Sequence, residues 1–296
     1  MITKEIEALI AAALKEDVPA GDITTDNLID PKSLGRALLV AKQAGVLAGI
    51  DIARRVFRTI DPRISFNRGL RDGQEFESGD VLAEIEGRAA VLLKGERTAL
   101  NFLQRMSGIA TETRKYVKAV AGTKARILDT RKTTPGLRSL EKYAVRMGGG
   151  ENHRLNLSVM VLIKDNHLRM VGDIVRAVRR IRKKIRPGIL VEVEVTSFDQ
   201  ARAALDSGAD WIMLDNMSLS QMKRIVAFAA GRAKIEASGN VSLDTVASIA
   251  ATGVDYISVG KLTHSFDSVD LSLEFLGVLP RNIDRIRLRN PVRIRR

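Results

Sequence analysis

Hydrophobic and polar positions in the second half of the chain follow two alternating spacings. Short apolar, β-rich runs predict strands over 126–129, 159–164, 189–195, 211–215, 234–238 and 256–260. Helical spacing fills the gaps between them: Gly208 and Gly253 close two helices, and a third has an apolar stripe at Ile174, Val175, Val178, Ile181 and Ile185. Strands that are buried on both faces and alternate with helices indicate an α/β fold with a parallel sheet. The spacing leaves open whether this sheet is doubly wound or forms an incomplete barrel.

The first half of the chain has a different pattern. It predicts a helix over 3–16, a strand near 37–41, a helix over 51–60 and short strands separated by glycines. The segment 77–87 has the turn residues of a small β-sandwich that resembles lipoyl-type modules. It has no lysine at a hairpin tip, so we interpret it as scaffold. A long apolar-striped helix over 91–120, with Gly108 as a candidate break, is predicted to link the two parts.

Composition excludes several classes of protein. The 296 residues are 45% hydrophobic, enough for a sizeable core, and the absence of cysteine excludes disulfides and thiolate metal sites. The first 17 residues include Glu5 and Glu7 among apolar positions, which favours an amphipathic helix over a signal peptide. No apolar run approaches the ~20 residues of a membrane helix. We therefore expect a soluble, cytoplasmic protein.

The formal net charge of +13 lies in two segments. Residues 176–186 contain seven Arg or Lys and no acid, and residues 281–296 contain seven Arg and one acid. Such runs are usually solvated surface, which we favour over a nucleic-acid patch. In the Arg-rich end, alternating apolar residues allow an extra strand, but a frayed tail is the expectation.

Polar residues cluster where the predicted strands end. In parallel α/β folds these ends meet at one edge, where ligands bind. Cations follow the first two strands, carboxylates end the next two, and glycine-containing turns follow the last two: Asp129 to Lys132, Lys164 to His167, Glu192 and Glu194, Asp215 and Asn216, Ser238 to Asn240, and Gly260 and Lys261. This set suits a ligand with several anionic groups together with a divalent metal.

Basic residues are densest over 129–166. Arg138, Lys142 and Arg146 have i, i+4, i+8 spacing, so we interpret them as one face of a helix over 137–147. That interpretation leaves a second set at a strand end or in loops, which can bind anionic groups: Arg131, Lys132, His153, Arg154 and Lys164. We expect His167 and His264 to be loop residues, because the histidine spacing forms no zinc motif.

These motifs together resemble the quinolinate phosphoribosyltransferase family. The resemblance is carried by 96–111, 129–167, VEVEV at 191–195, LDN at 214–216, EASG at 236–239 and DYISVGKLTHS at 255–265. It extends over nearly the whole chain, to about residue 279. It implies an N-terminal α/β sandwich over 1–115, rejoined by 271–296, and an open, incomplete α/β barrel over 116–270 that carries the site. It also implies a homodimer with shared active sites.

The family reaction joins quinolinate to phosphoribosyl pyrophosphate in NAD biosynthesis, with Mg²⁺ as cofactor. The resemblance assigns the quinolinate pocket to Arg131, His153, Arg154 and Lys164, with Arg97 from the neighbouring subunit. It assigns the ribose and Mg²⁺ to Glu194 and Asp215, and the leaving pyrophosphate to Lys132. It assigns the 5′-phosphate to backbone N–H groups near Ser238, Gly239 and Gly260.

Two residues depart from the family pattern, and three alternatives remain. Asn240 replaces a common glycine, but asparagine tolerates left-handed backbone. Lys261 replaces a small residue and adds a cation near the expected phosphate.

The alternative that Arg97 is only a charge on a helix surface stays open. The alternatives are a related pyrophosphorylase-like enzyme acting on another base, a basic nucleic-acid-binding protein, and a nucleotide-binding regulator, which the absence of a GxGxxG or Walker loop disfavours.

Overall fold

The computed structural model describes residues 2–279. Within these residues the chain forms two compact units, one comprising 2–111 with 267–279 and the other comprising Glu112–Phe266. The expectations for the Arg-rich end 281–296, and for most of the rejoining segment 271–296, lie outside the described residues. No helix in the described part is both long and apolar enough to cross a membrane.

The strands and helices are numbered here in chain order. The strands are β1 (Leu34–Ala41), β2 (Gly45–Val46), β3 (Ser65–Arg68), β4 (Glu75–Phe76), β5 (Val81–Arg88), β6 (Arg126–Leu128), β7 (Val161–Ile163), β8 (Val191–Val195), β9 (Trp211–Asp215), β10 (Lys234–Ser238), β11 (Tyr256–Ser258) and β12 (Leu271–Leu279). The helices are α1 (Lys4–Asp17), α2 (Ile23–Leu28), α3 (Ile50–Ile60), α4 (Ala89–Ala119), α5 (Arg138–Met147), α6 (Asp165–Val171), α7 (Ile174–Arg182), α8 (Phe198–Asp206), α9 (Leu219–Ala229), α10 (Leu243–Ala250) and α11 (Lys261–His264).

The N-terminal unit contains an antiparallel sheet in the order β12–β1–β5–β3 and a small ribbon of β2 with β4. β1 alternates between exposed and buried positions over its first half, as expected for a strand with one face on a core. The amphipathic helix α3 buries Val56 and Phe57. The predicted β-sandwich segment supplies β5, the second central strand of the sheet.

Helix α4 is longer than predicted and runs without a break through Gly108. The candidate break at Gly108 is therefore wrong. A Cβ atom at this position would lie 2.3 Å from the carbonyl oxygen of Asp267 and 3.0 Å from Cα of Ser268. Glycine is needed here because another stretch of backbone passes close to the helix, not because the helix ends.

The C-terminal unit contains a parallel sheet in the order β6–β11–β10–β9–β8–β7. β6 and β7 lie at opposite edges and do not pair, so the sheet is open. The valines of β8 are all buried, and the helices between the strands cover the sheet. The predicted fold class is confirmed, although several strands are shorter than predicted, such as β7. Because all six strands run the same way, their carboxyl ends meet at one edge.

The basic segment 176–186 begins in α7 of this unit. Asp173 caps the helix by accepting a hydrogen bond from the N–H of Arg176. Ile174, Ala177 and Val178 are buried, whereas every Arg and Lys from Arg176 to Arg186 is exposed. The apolar stripe faces the protein, and the charges form a solvated surface.

Candidate active site

A cavity of about 870 Å³ lies at the carboxyl ends of the parallel strands, within the C-terminal unit. It brings together all but one of the predicted site residues: Arg131, Lys132, His153, Arg154, Lys164, Glu194, Asp215, Ser238, Gly239 and Gly260. Arg97, the exception, lies on α4 in the N-terminal unit, and no described residue forms an ion pair or hydrogen bond with its guanidinium. Its predicted role in a neighbouring subunit's site stays a prediction.

Three cations contribute to one part of the cavity lining. Arg131 follows β6, Lys164 follows β7, and Arg154 lies in the loop before β7. Arg154 donates from Nη1 to the carbonyl of Met160 at 2.9 Å. Burial, followed by repulsion from Arg131, lowers the pKa of Arg154. The guanidinium group of Arg154 therefore lies where an anionic ligand would relieve both unfavourable effects.

Two carboxylates line the same cavity on neighbouring strands. Glu194 of β8 and Asp215 at the end of β9 are only partly buried. Glu194 accepts a hydrogen bond from Nζ of Lys164 at 2.7 Å, and Asp215 accepts one from Nδ2 of Asn216 at 3.0 Å. In VEVEV the valines are buried, so the period of two places Glu192 and Glu194 together on the opposite face.

The turn after β10 brings backbone close to the cavity. Gly239 has φ +96°, and a Cβ atom there would lie 2.3 Å from Oδ1 of Asn216. Asn240 also has positive φ, +47°, and its Nδ2 donates to Oδ1 of Asn216 at 3.0 Å. Asparagine therefore adopts the left-handed conformation that the family's usual glycine would permit.

A buried ion pair lies at the cavity lining. Lys142 was predicted to share a helix face with Arg138 and Arg146, and its side chain is only 2% exposed and donates to the fully buried Asp129. Arg146 on the same helix is exposed. Burial raises the pKa of Asp129 and lowers that of Lys142, but each charge compensates the other.

His153 contacts two fully buried acids, Glu192, which the sequence placed among the strand-end carboxylates, and Glu236, which was not predicted. Its Nε2 is 2.9 Å from Oε2 of Glu192 and 3.4 Å from Oε2 of Glu236. Burial alone would lower the pKa of His153, whereas its contacts with the carboxylates of Glu192 and Glu236 raise it. Burial, with repulsion from Glu236, raises the pKa of Glu192 to about 7. The signal that could have identified Glu236 is its position at the centre of a short strand, directly between the apolar residues Ile235 and Ala237.

Among the described residues, His153, Glu192 and Glu236 also form a group that could bind a metal ion, because their potential ligand atoms all lie within 4.8 Å of one another. Both carboxylates are inaccessible to solvent. Glu194 and Asp215, by contrast, are partly buried carboxylates that line the cavity itself. Carboxylate oxygens beside open space are the ligands that Mg²⁺ prefers together with water and phosphates.

Comparisons with known proteins agree with this geometry. Models of the N-terminal and C-terminal domains of quinolinate phosphoribosyl transferase match residues 22–107 and 109–274. A probable nicotinate-nucleotide pyrophosphorylase (carboxylating) of Bacillus subtilis is 41% identical over 270 residues, 91% of this chain and 93% of the relative. The Mycobacterium leprae nicotinate-nucleotide pyrophosphorylase (carboxylating) is 44% identical over 273 residues, 90% of this chain and 95% of the relative.

Similarity in structure is equally extensive. The crystal structure of NadC from Streptococcus pyogenes superposes with a TM-score of 0.91 at 44% identity, covering 93% of this chain and 98% of that one. An open parallel sheet with a polar cavity at its strand ends is the arrangement of an α/β enzyme, and the family models and relatives assign this enzyme to the phosphoribosyltransferase class. The chain belongs to the quinolinate phosphoribosyltransferase family. The resemblance predicted from the sequence motifs is thereby confirmed.

Proposed function

We propose that this chain transfers the phosphoribosyl group of phosphoribosyl pyrophosphate to the ring nitrogen of quinolinate. The products are nicotinate mononucleotide, pyrophosphate and carbon dioxide, and the reaction serves NAD biosynthesis. The observation that carries the proposal is the presence of five Lys or Arg side chains on the lining of one cavity, together with the partly exposed carboxylates of Glu194 and Asp215. Membership of the family and the activity named for the relatives support it.

Quinolinate fits the cationic part of the lining. Its two adjacent carboxylates repel each other, so binding requires several positive groups at short range. Arg131, Arg154 and Lys164 are three such groups on one cavity lining. Arginine binds a carboxylate through two parallel N–H groups, whereas the Lys164 ammonium acts as a point charge. We assign these three residues to the diacid.

The two carboxylates fit the sugar. Breaking the bond between C1 and pyrophosphate leaves positive charge on C1, and fixed anions nearby stabilise that charge. Glu194 and Asp215 are assigned this role and the binding of the ribose hydroxyls. Since Lys164 also donates to Glu194, the same lysine connects the diacid pocket to the sugar pocket and fixes the spacing between them.

The phosphates fit the remaining part of the lining. Ser238, Gly239 and Gly260 line the cavity and are assigned to the 5′-phosphate, because glycine in a turn lets backbone N–H groups approach a phosphate closely. Lys132 is assigned to the leaving pyrophosphate. Its carbonyl oxygen accepts a hydrogen bond from Oγ1 of Thr263 at 2.8 Å, which fixes the backbone from which the ammonium group extends.

Glu194 and Asp215 are also the proposed ligands of Mg²⁺, directly or through water. Bound Mg²⁺ supplies positive charge that neutralises pyrophosphate as it leaves. The chain's part is to hold two carboxylates on adjacent strands without fully desolvating them. Their partial exposure leaves room for the water molecules that Mg²⁺ retains.

Loss of carbon dioxide requires little of the protein. Once the ring nitrogen carries the ribosyl group it is positively charged, and it stabilises the electron pair left on C2 when the carboxylate departs. A proton from solvent then completes C2. The chain has only three histidines, and this sequence of steps needs none of them as a general acid. A homodimer with Arg97 completing the partner's site, and a cytoplasmic location, belong to the same proposal.

The direct test is turnover by the purified full-length chain. With quinolinate, phosphoribosyl pyrophosphate and Mg²⁺ we expect carbon dioxide and nicotinate mononucleotide in equal amounts, and no product in excess EDTA. Nicotinate in place of quinolinate should react at least about tenfold more slowly, because part of the cationic lining would lack a partner. Faster reaction with nicotinate would contradict the assignment of the diacid pocket.

A further inference from the structure

Every polar atom of His153 already has a partner within the protein. Its backbone N–H donates to Oδ1 of Asp129 at 2.9 Å, and its carbonyl accepts from Nζ of Lys142 at 3.0 Å. On the ring, Nε2 is 2.9 Å from Glu192. Nδ1 is 2.8 Å from the backbone nitrogen of Arg154. The side chain is only 7% exposed, so the ring contributes little more than a carbon edge to the cavity lining.

The partner of Nδ1 determines the protonation state of the ring. A backbone amide can only donate, so Nδ1 must accept the hydrogen bond from Arg154 and carries no proton. The proton is therefore on Nε2, which donates to Glu192. Turning the ring over would put carbon atoms at both contacts and lose both hydrogen bonds.

Attraction by the two buried carboxylates favours a charged ring, whereas the hydrogen-bond geometry requires a neutral one. The geometry prevails, because a proton on Nδ1 would point at the N–H of Arg154, whose nitrogen lies 2.8 Å away, and would have no acceptor. A neutral ring with both nitrogens occupied has no N–H to offer a ligand.

We propose that His153 is a positioning residue that connects the Arg154 peptide to the buried glutamates and does not itself donate to the diacid. This inference deepens the proposed function, because it removes His153 from the set of groups that bind quinolinate. Ser258 extends the network by donating to Oε1 of Glu236 at 2.6 Å. The Arg154 guanidinium is fixed at its other end by the carbonyl of Met160. Binding of the carboxylates then depends on the placement of Arg154.

The protonation state can be measured directly by nitrogen NMR on protein labelled with ¹⁵N-histidine. The chain has three histidines, so spectra of His167→Gln and His264→Gln identify the signals of His153 by elimination. At neutral pH we expect Nδ1 to be unprotonated and Nε2 protonated, both in the free protein and with saturating quinolinate. A protonated Nδ1 in either spectrum would overturn the proposal. The free-protein spectrum needs no ligand, so it tests the inference even if the proposed function fails.

Two substitutions test the consequence for the substrate. His153→Asn retains an amide oxygen that can accept from the Arg154 N–H, whereas His153→Phe retains the ring shape without an acceptor. We expect His153→Phe to raise the KM for quinolinate about tenfold and His153→Asn to restore most of that loss. The KM for phosphoribosyl pyrophosphate should change little in either variant. Equal losses in KM for the two variants would contradict a positioning role, and if His153→Phe fails to fold, the NMR result decides.

Discussion

At the scale of single residues, the cations of the cavity have different partners. Lys164 is paired with Glu194, whereas the guanidinium of Arg131 has no hydrogen bond or ion pair among the described residues. Lys261, at the start of α11, lies 3.6 Å from Oε1 of Glu112, a buried oxygen with no hydrogen-bond partner. Lys261 is half-exposed and adjacent to Gly260, so its ammonium group can move to a phosphate without breaking a hydrogen bond.

We therefore expect Lys261→Ala to raise the KM for phosphoribosyl pyrophosphate about fivefold, equivalent to ~1 kcal/mol, with the KM for quinolinate unchanged. Steady-state kinetics with each substrate varied in turn measures both constants. Lys115→Ala is the matched control, because Lys115 also pairs with Glu112, at 3.0 Å, but does not line the cavity. Equal effects of the two substitutions would attribute the loss to Glu112 instead of to a phosphate contact.

Single residues also show where sequence reasoning ends. The spacing of Arg138, Lys142 and Arg146 correctly predicts a shared helix face, but spacing does not say what that face contacts. Asp129, thirteen positions before Lys142, contacts it only after the chain folds back through the intervening loop. Glu236 was not predicted because a single acid in a short strand looks like a strand end or a solvated position. Its contact with His153 is a tertiary one.

At the scale of elements, helix α3 is followed by Asp61, whose carboxylate accepts hydrogen bonds from two arginines. Asp61 accepts from Nε and Nη2 of Arg63, each at 3.0 Å, and from Nε of Arg88 at 2.9 Å. The hydrogen bonds from Arg63, and then those from Arg88, outweigh burial and hold the pKa of Asp61 well below its ordinary value. The pKa of Asp61 is lower in the folded protein than in the unfolded chain. Ionised Asp61 therefore stabilises the fold at any pH above its unfolded-state pKa, and this stabilisation is lost as the pH falls through its folded-state pKa.

Asp61→Asn should consequently lower the urea midpoint of unfolding at neutral pH. The difference in urea midpoint between the variant and the wild type should become smaller as the pH drops below about 4, where Asp61 of the unfolded chain is protonated. Asp51→Asn is the control, because its pairs with Arg54 and Arg68 are on partly exposed side chains and contribute less. A gap of constant size at every pH would contradict the depressed pKa.

Gly108 in helix α4 is expected to respond to alanine substitution in the opposite way from an ordinary helical glycine. Replacing an exposed helical glycine by alanine normally stabilises by about 1 kcal/mol. Because the space beside Gly108 is filled by the backbone of Asp267 and Ser268, we expect Gly108→Ala to destabilise the protein. Asn101→Ala, at an exposed position of the same helix, should be neutral or stabilising. Thermal midpoints of both variants measure this, and a midpoint raised by Gly108→Ala would be inconsistent with the close approach.

At the scale of the whole molecule, the sequence predicted the architecture better than the site's interior. Alternating β and helical spacings identify the parallel strands, because burial on both faces imposes an apolar run that local sequence records. Strand-end residues such as Lys164 and Asp215 followed from that topology, since parallel strands end at one edge. The spacing did not choose between an open and a closed sheet, because closure depends on whether β6 and β7 pair, which neither strand's sequence determines.

The proposed sharing of active sites predicts complementation between two inactive variants. Arg97→Ala and Lys132→Ala should each have little activity as pure homodimers. In a mixed dimer one site receives wild-type Lys132 from its own subunit and Arg97 from the partner. A random mixture of equal parts should therefore recover about a quarter of wild-type activity. Wild-type homodimer provides the reference, and no recovery in verified mixed dimers would count against a contribution of Arg97 across the interface.

The most direct measurement is a crystal structure of the protein with quinolinate bound. We predict that the diacid occupies the cavity at the carboxyl ends of β6 to β8, with its carboxylates within hydrogen-bonding distance of Arg131, Arg154 and Lys164. The ring nitrogen should face Glu194 and Asp215, leaving space for C1 of the sugar between them. Density for quinolinate elsewhere, or side chains of Arg154 and Lys164 directed away from it, would contradict the proposed pocket.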